Sequence, residues 1–227
     1  MLASTIADYW TAPFDAGTAL FDDGTFRVSE NPALAADRRV QVLTTDGRVR
    51  AVVTPDIAEQ LGAVTSEAEF RSGLARVGLA LNGADNLYYF DLDDRPVADA
   101  SIRRLTVADA ELFARFESAT SEQDRDDAFV ELDHWAVFGA IVDGELVSAA
   151  SAYPWSDSPV ADMGVLTVES ARGAGHGRRV IRALSAFAID EGYEPQYRCQ
   201  LDNVASIALA GRAGLSLFGT WDVIEPE

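Results

Sequence analysis

A glycine-rich segment beside several arginines is the part of this chain best suited to chemistry. The segment Arg172-Gly173-Ala174-Gly175-His176-Gly177, called the glycine loop below, follows a strand pattern and precedes an amphipathic helix pattern. Glycines leave backbone amides unobstructed, and a helix N-terminus adds partial positive charge, so such a turn can hold phosphate oxygens. The glycine loop is therefore a candidate anion-binding site.

The charge around the glycine loop supports this interpretation. The chain has 37 acidic and 18 basic residues and a formal net charge of -19, yet no acidic residue lies between Glu169 and Asp190. The arginines in this interval are Arg172, Arg178, Arg179 and Arg182. Such a local exception indicates a negatively charged ligand. The alternative is a tight strand-to-helix turn whose arginines are ordinary surface residues.

Composition argues against several other functions. All 18 basic residues are arginine, and the lack of lysine argues against a P-loop ATPase or a protein kinase. The negative charge would repel nucleic acids and anionic membranes. With one cysteine and two histidines, the sequence predicts neither a disulfide nor a metal site. It has no signal-like N-terminus and no long apolar run, which predicts a soluble cytoplasmic protein.

The glycine spacing argues against a dinucleotide-binding fold. Glycines at 173, 175 and 177 do not form the G-x-G-x-x-G pattern. The glycine loop also lies far downstream of the early strand, turn and helix that such a fold requires. A plain nucleotide-binding domain stays as a further alternative.

The first part of the chain has mixed strand and helix patterns. Predicted strands lie at 26–29, 40–44, 48–53 and 87–92, and predicted helices at 55–61 and 67–79. Asp46-Gly47 is a predicted hairpin turn. The acid-rich stretch 91–99 is the predicted boundary. Residues 1–98 would form an N-terminal α+β domain of unknown role, and residues 99–227 a second domain.

The second part has an informative order of elements. The predicted strands are 102–105, 135–142, 145–153, 163–168, 196–201 and 216–224. A helix capped by Thr106 and an acidic helical stretch follow the first of these strands. Another helix follows the glycine loop, and a short one spans 204–213. The resulting order is β-α-(α)-β-β-β-α-β-α-β.

These residues resemble the GNAT superfamily of acyl-CoA N-acyltransferases. Arg172-x-x-Gly175-x-Gly177 matches the Q/R-x-x-G-x-G/A signature of that family, between a strand and a helix as the family requires. Asn203, Ser206, Leu209 and Gly214-Leu215 match the N-x-x-S-x-x-L…G-F spacing of its final conserved segment. The resemblance covers residues 100 to 225, approximately.

The resemblance implies an α/β fold with a mixed, splayed sheet flanked by helices, and acetyl-CoA or another acyl-CoA as cofactor. The strand before the glycine loop would bind the pantetheine arm through its backbone, and the glycine loop would hold the pyrophosphate. The implied cofactor-binding residues are Val165, Leu166, Thr167, Val168, Arg172, Gly173, Ala174, Gly175, His176, Gly177, Arg178, Asn203 and Ser206.

The implied reaction is direct attack of a substrate amine on the thioester. The main hypothesis is therefore an N-acyltransferase acting on a primary amine of a small molecule, and a peptide or protein N-terminus is the alternative acceptor. Many members carry a tyrosine after the leucine of the last motif, as general acid, and this chain has Ala210 there. Tyr197 and Tyr153 are candidate substitutes. Asp162 is the first candidate general base, placed just before the central strand. The alternative bases are Glu169, Glu131 and Asp133.

Other chemically active residues have structural interpretations. His134 is predicted to lie at a strand edge, and Cys199 to be a buried structural thiol. Tyr153 and Trp155, with nearby acids, would suit a cationic amine, and packing is the equal alternative. A catalytically inactive acyl-CoA-binding regulatory module is the alternative function. The sequence leaves open the acceptor, the acyl length, the role of the N-terminal domain and the oligomeric state, including whether the protein is a homodimer.

Overall fold

The computed structural model describes residues 1–155 and 158–225, which form two compact units. The N-terminal unit contains Ser4–Leu87, Cys199–Asp202 and the residues from Leu217 on. The C-terminal unit contains Met1–Ala3, Tyr88–Arg198 and Asn203–Ser216. The division of the sequence at residues 98 and 99 stays a prediction.

The order of elements follows the sequence patterns closely in the second part of the chain. The helices are α1 (Ser4–Asp15), α2 (Pro55–Leu61), α3 (Glu67–Arg76), α4 (Ala110–Ser118), α5 (Glu122–Ala128), α6 (His176–Asp190) and α7 (Val204–Ala213). The strands are β1 (Thr18–Asp22), β2 (Phe26–Glu30), β3 (Val40–Thr45), β4 (Arg48–Val53), β5 (Asp85–Phe90), β6 (Ile102–Arg104), β7 (Ala136–Val142), β8 (Glu145–Pro154), β9 (Val160–Thr167), β10 (Glu194–Gln200) and β11 (Leu215–Val223).

The N-terminal unit is built on strands in the order β1-β2-β4-β3-β11. β2 and β4 are parallel, and the other pairs described are antiparallel. The β3–β4 turn has positive φ angles at Asp46 (51°) and Gly47 (75°), as the predicted hairpin requires. Helices α2 and α3 bury Ile57, Phe70 and Leu74 in a core with strand residues that include Val28 and Val53.

Helix α1 and strand β1 were not among the predicted elements. Ile6, Trp10 and Phe14 recur every four residues and are buried, so α1 has a clear apolar face. Pro13 lies inside the helix, although proline usually ends helices. Side chains complete the last turn, because Asn31 Nδ2 donates to Pro13 O at 2.8 Å and Ser29 Oγ donates to Phe14 O at 3.1 Å.

The C-terminal unit contains strands in the order β5-β10-β9-β8-β7-β6. The chain of antiparallel pairs from β6 to β9 is followed by one parallel pair, β9 with β10. That parallel pairing runs from Val160 opposite Glu194 to Met163 opposite Tyr197. Both strands continue beyond these residues, so they separate there. This gap confirms the mixed, splayed sheet.

Helices cover opposite faces of this sheet. Met163 faces α6, since Ser185 Oγ lies 3.2 Å from its sulfur. The next residue, Gly164, faces the end of α5, where an added Cβ would lie 1.9 Å from Ala128 O. Successive strand residues point to opposite faces, so α5 and α6 lie on different sides of β9.

Two glycine substitutions test this close approach. We expect Gly164→Ala to lower the free energy of unfolding by about 3 kcal/mol, because its methyl group would collide with the Ala128 carbonyl. Gly211→Ala is the matched control in α7, where nothing lies within 4 Å of an added Cβ. It should stabilise the protein by roughly 0.5–1 kcal/mol, since alanine favours helix more than glycine does. Urea unfolding followed by circular dichroism measures both, and equal effects would contradict the packing described.

Candidate functional site

The glycine loop joins β9 to α6. Gly173 and Gly175 have φ angles of 80° and 85°, a conformation that residues with a Cβ rarely adopt. Gly175 is the N-cap of α6. At Gly177 an added Cβ would lie 3.2 Å from Thr167 Oγ1, so this glycine brings the helix start close to β9. Two of the glycines thus serve backbone conformation and the third serves close packing.

The start of α6 presents hydrogen-bond donors. Arg179 N donates to Gly175 O, and the amides that precede it have no acceptor within the helix. The first turn contains no acidic residue. Within the described residues, His176 Nδ1 is a buried nitrogen that has no hydrogen-bond partner. Unpaired amides of this kind and the positive end of the helix dipole are the features that an anion site requires.

The arginines around the glycine loop are partly neutralised. Arg172 lies 3.0 Å from Asp124 of α5 and also donates through Nε to Thr167 O at 3.3 Å. Arg179 is paired with Asp99 at 3.1 Å. Arg182 is paired with Asp94 at 3.7 Å. Arg178 is exposed. The acidic partners come from distant parts of the chain, so the local charge pattern of the sequence did not reveal them.

The backbone of β9 before the glycine loop has a partner on one side. Val165, Leu166 and Thr167 are opposite Ala150, Ala149 and Ser148 of β8. On the other side the register with β10 ends at Met163. Val168 follows the strand and donates its amide to Val147 O at 3.0 Å. Beyond Met163, β9 therefore has no strand partner described on that side, and the pantetheine site placed there stays a prediction.

Asn203 and Ser206 form a helix cap. Asn203 is the N-cap of α7, and its Oδ1 accepts a hydrogen bond from Ser206 N at 3.0 Å. α7 packs against α6, with Leu209 within 3.6 Å of the Cβ position of Gly177. Ala210, at the position where the resemblance implied a tyrosine, is fully buried. The N-x-x-S-x-x-L segment thus caps α7 and packs Leu209 against Gly177 at the start of α6.

Asp162 lies within β9, not before the strand as predicted, because β9 begins at Val160 and pairs there with β10. Its side chain is buried, and the residue is 6% exposed. Its carboxylate accepts four hydrogen bonds, from Gln196 Nε2 at 2.8 Å, Arg198 Nε at 3.1 Å, Arg198 NH2 at 2.9 Å and Tyr153 Oη at 3.2 Å. Any proton-accepting role of Asp162 must compete with these donors.

The two candidate tyrosines lie on different faces of the sheet. Tyr153 is opposite Asp162 in the register and bonds to it. Burial, and to a lesser extent the Asp162 charge, raises the pKa of Tyr153 to about 12, so it keeps its proton at neutral pH. Tyr197 is 3% exposed and opposite Met163, on the α6 face. The structure therefore brings Asp162 together with Tyr153 and not with Tyr197, and the proposed role of Tyr197 stays a prediction.

Aromatic rings surround this part of the C-terminal unit. His134 packs between Phe129 and Tyr153, with ring centroids 4.9 and 5.1 Å away. Phe129 has a left-handed backbone (φ 46°) and is 49% exposed, which is unusual for an aromatic residue. Arg198 lies over the Trp155 ring at 4.1 Å. His134 is thus part of a ring cluster on the Asp162 face, in addition to preceding β7.

Gln196 and Arg198 were not predicted as site residues. Gln196 is fully buried between Tyr89, whose hydroxyl bonds its side chain, and Asp162. The signal for them is the alternation of polar Gln196 and Arg198 with Tyr197 and Cys199 along one strand. Burial raises the pKa of Cys199 to about 11, which fits the predicted structural thiol.

The remaining candidate carboxylates are more peripheral. Glu131 and Asp133 are exposed residues between α5 and β7, and Glu169 begins a short 3-10 turn after β9.

Residues 1–155 and 158–225 contain no helix long and apolar enough to cross a membrane. In the same residues no three His, Cys, Asp or Glu side chains are grouped to hold a metal ion.

A comparison with protein families identifies the chain. The acetyltransferase (GNAT) family matches residues 102–215, about half of the sequence, and the chain belongs to this family. The family transfers acyl groups from CoA, and acetyl-CoA is its usual donor. A search of curated proteins gave no significant match.

The chain is similar to solved structures at low sequence identity. A GNAT-family acetyltransferase from Colwellia psychrerythraea is 15% identical, with a TM-score of 0.53 over 98% of this chain and 97% of that one. A GCN5-related N-acetyltransferase from Kribbella flavida is 20% identical, with a TM-score of 0.47 over 69% of this chain and 63% of that one. The first comparison supports the GNAT fold of this chain.

The network around Asp162 can be tested by its contribution to stability. Asp162→Asn should lower the free energy of unfolding by about 2–3 kcal/mol, because the mostly buried Arg198 loses its charged partner. Asp127→Asn is the control, since the exposed Asp127 bonds only to Gln123 among the contacts described. Its effect should stay within about 0.5 kcal/mol. Urea unfolding of both variants decides, and a control as unstable as Asp162→Asn would contradict the assigned network.

Proposed function

We propose that this chain is an acyl-CoA-dependent N-acetyltransferase. It transfers an acetyl or short acyl group to the primary amine of a small molecule. The observation that carries the proposal is the position of the glycine loop. It lies at the N-terminus of α6, one short 3-10 turn after the strand that separates from β10. An anion cradle and a gap between strands are the two features that an extended, phosphorylated thioester requires.

The residues present fit such a cofactor. The amides from Gly173 to Gly177, with Arg172 and Arg178, would hold the pyrophosphate, and His176 Nδ1 supplies a further atom that has no partner within the described residues. Backbone groups of Val165 to Val168 would bond the pantetheine arm. Asn203 and Ser206 would act through the cap of α7, which supports α6 from behind. The cofactor supplies the thioester, and this chain supplies binding and orientation.

The face of the sheet that carries Asp162 is the proposed acceptor side. It combines aromatic rings, the Arg198–Asp162 pair and the exposed carboxylates Glu131 and Asp133. Phe129, which is 49% exposed, offers an apolar surface that suits the body of a small molecule. On this interpretation Asp162 holds Arg198 and Tyr153 in position. The pH dependence of kcat/KM for the Asp162→Asn variant tests its predicted role as general base. A cytoplasmic location is part of the proposal.

A catalytically inactive acyl-CoA-binding module is the second candidate. Ala210 takes the place of the tyrosine acid, and Asp162 has four hydrogen-bond donors around it. A panel of primary amines with acetyl-CoA, followed by release of free thiol, separates the two candidates. Turnover with any amine supports the enzyme, whereas micromolar acetyl-CoA binding without turnover supports the module.

The cofactor site is tested by two glycines at the two ends of α6. Gly175→Val should weaken acetyl-CoA binding at least tenfold, because valine does not adopt the φ of 85° that aims the loop amides. Gly192→Val is the matched control, with a φ of 89° and open space around its Cβ position. Both variants carry similar backbone strain, but Gly192 lies past the C-terminus of α6.

Isothermal titration with acetyl-CoA and with ADP measures the effect. We expect the parent and Gly192→Val to bind acetyl-CoA much more tightly than ADP, and Gly175→Val to lose that binding. Unchanged acetyl-CoA affinity in Gly175→Val would exclude the glycine loop as the pyrophosphate site. Equal affinity for ADP and acetyl-CoA in the parent would favour a plain nucleotide-binding domain.

A further inference from the structure

The environment of His134 is unusual for a surface loop residue. Its side chain is 11% exposed and packs between the Phe129 and Tyr153 rings. Nδ1 lies 2.8 Å from Ser151 Oγ. Ser151 Oγ accepts a hydrogen bond from the Glu131 amide at 3.4 Å. Nε2 lies 3.7 Å from a Glu131 carboxylate oxygen. One ring nitrogen is therefore held by β8, and the other faces a carboxylate at the surface.

The position of His134 is tied to the gap in the sheet. Its partner Ser151 is opposite Gly164 of β9, the residue that follows the last pair between β9 and β10. Its ring neighbour Tyr153 donates a hydrogen bond to Asp162, which lies on β9 two residues before Gly164. His134 thus lies on the Asp162 face, across one strand from the point where β9 and β10 separate.

The other polar groups on this face are poorly suited to accept a proton. The Asp162 carboxylate has four donors around it, and Arg198 is a cation. Tyr153 stays protonated, with a pKa raised to about 12. The pKa of His134 is lowered, mainly by burial, against the opposing effects of Glu131 and Asp133. The imidazole is therefore uncharged at neutral pH and has a lone pair to offer.

We propose that His134 takes the proton of the acceptor amine, directly or through one water molecule, with Nε2 as the accepting atom. The N–H bond of the acceptor ammonium breaks, the amine keeps the electron pair, and an N–H bond forms at Nε2. Glu131 balances the new charge of the imidazolium. Because Glu131 is 52% exposed, the proton then passes to solvent. This inference rests on the proposed N-acetyltransferase function.

The pair of His134 and Glu131 has a definite pH signature. Only the uncharged imidazole accepts a proton, so kcat/KM should rise with pH through the pKa of His134, below the ordinary value of 6.5. Glu131 raises this pKa, so Glu131→Gln should move the rise to lower pH. The acceptor amine itself titrates at higher pH, near 10 for an alkyl amine, so the two steps are separable.

The test compares pH profiles of kcat/KM for the parent, His134→Gln, Glu131→Gln and Asp162→Asn. We expect His134→Gln to lose the lower step and at least about 100-fold of kcat/KM, with unchanged acetyl-CoA affinity by titration. Asp162→Asn should keep the step. If His134→Gln keeps it, or if Asp162→Asn loses it instead, the inference is overturned.

A second readout does not depend on the His134 variant being stable. The chain has two histidines, so proton NMR of the parent follows both rings, and the Glu131→Gln spectrum identifies His134 by its shifted titration. The titration of His134 should coincide with the lower kinetic step, and both should move together in Glu131→Gln. A kinetic step that stays in place while the ring titration moves excludes His134. Failure of the parent to bind acetyl-CoA would instead remove the proposed function itself.

Discussion

The separation of β9 from β10 is the constraint on which the site depends. The two strands are parallel and paired only from Val160 to Met163 on β9, and the sheet opens beyond them. Opening leaves backbone groups without a strand partner, which is unfavourable unless a ligand or water replaces the partner. The glycine loop follows the open part of β9 after a short 3-10 turn. Backbone groups of the open strand and amides of the loop therefore lie close together in the chain, where one extended ligand could pair with both.

Groups on both faces hold the strands at the point where they separate. On one face Asp162 of β9 is bonded to Gln196 and Arg198 of β10, next to the last paired residues. On the other face Met163 contacts Ser185 of α6. These buried contacts make the opening begin at a fixed residue. The Asp162 face and the glycine loop are thereby placed at a fixed separation along the chain.

The sequence predicted the strands and helices of the C-terminal unit well, because hairpin turn residues and amphipathic stripes are local signals. Helix α1 was missed, since Pro13 breaks the local pattern that its buried Ile6, Trp10 and Phe14 create. The partners of Asp162 and Arg172 were also missed. They depend on strand register and on helix packing between residues far apart in sequence, for which a single sequence has no local signal.

The pair between Arg172 and Asp124 has a consequence for the response of the protein to ionic strength. A phosphate that reaches this guanidinium must replace a carboxylate that lies 3.0 Å away. Added salt weakens the pair that is broken as well as the contact that forms, so the two effects oppose each other. Binding of the proposed polyanionic cofactor should therefore depend less steeply on salt than four neighbouring arginines would suggest.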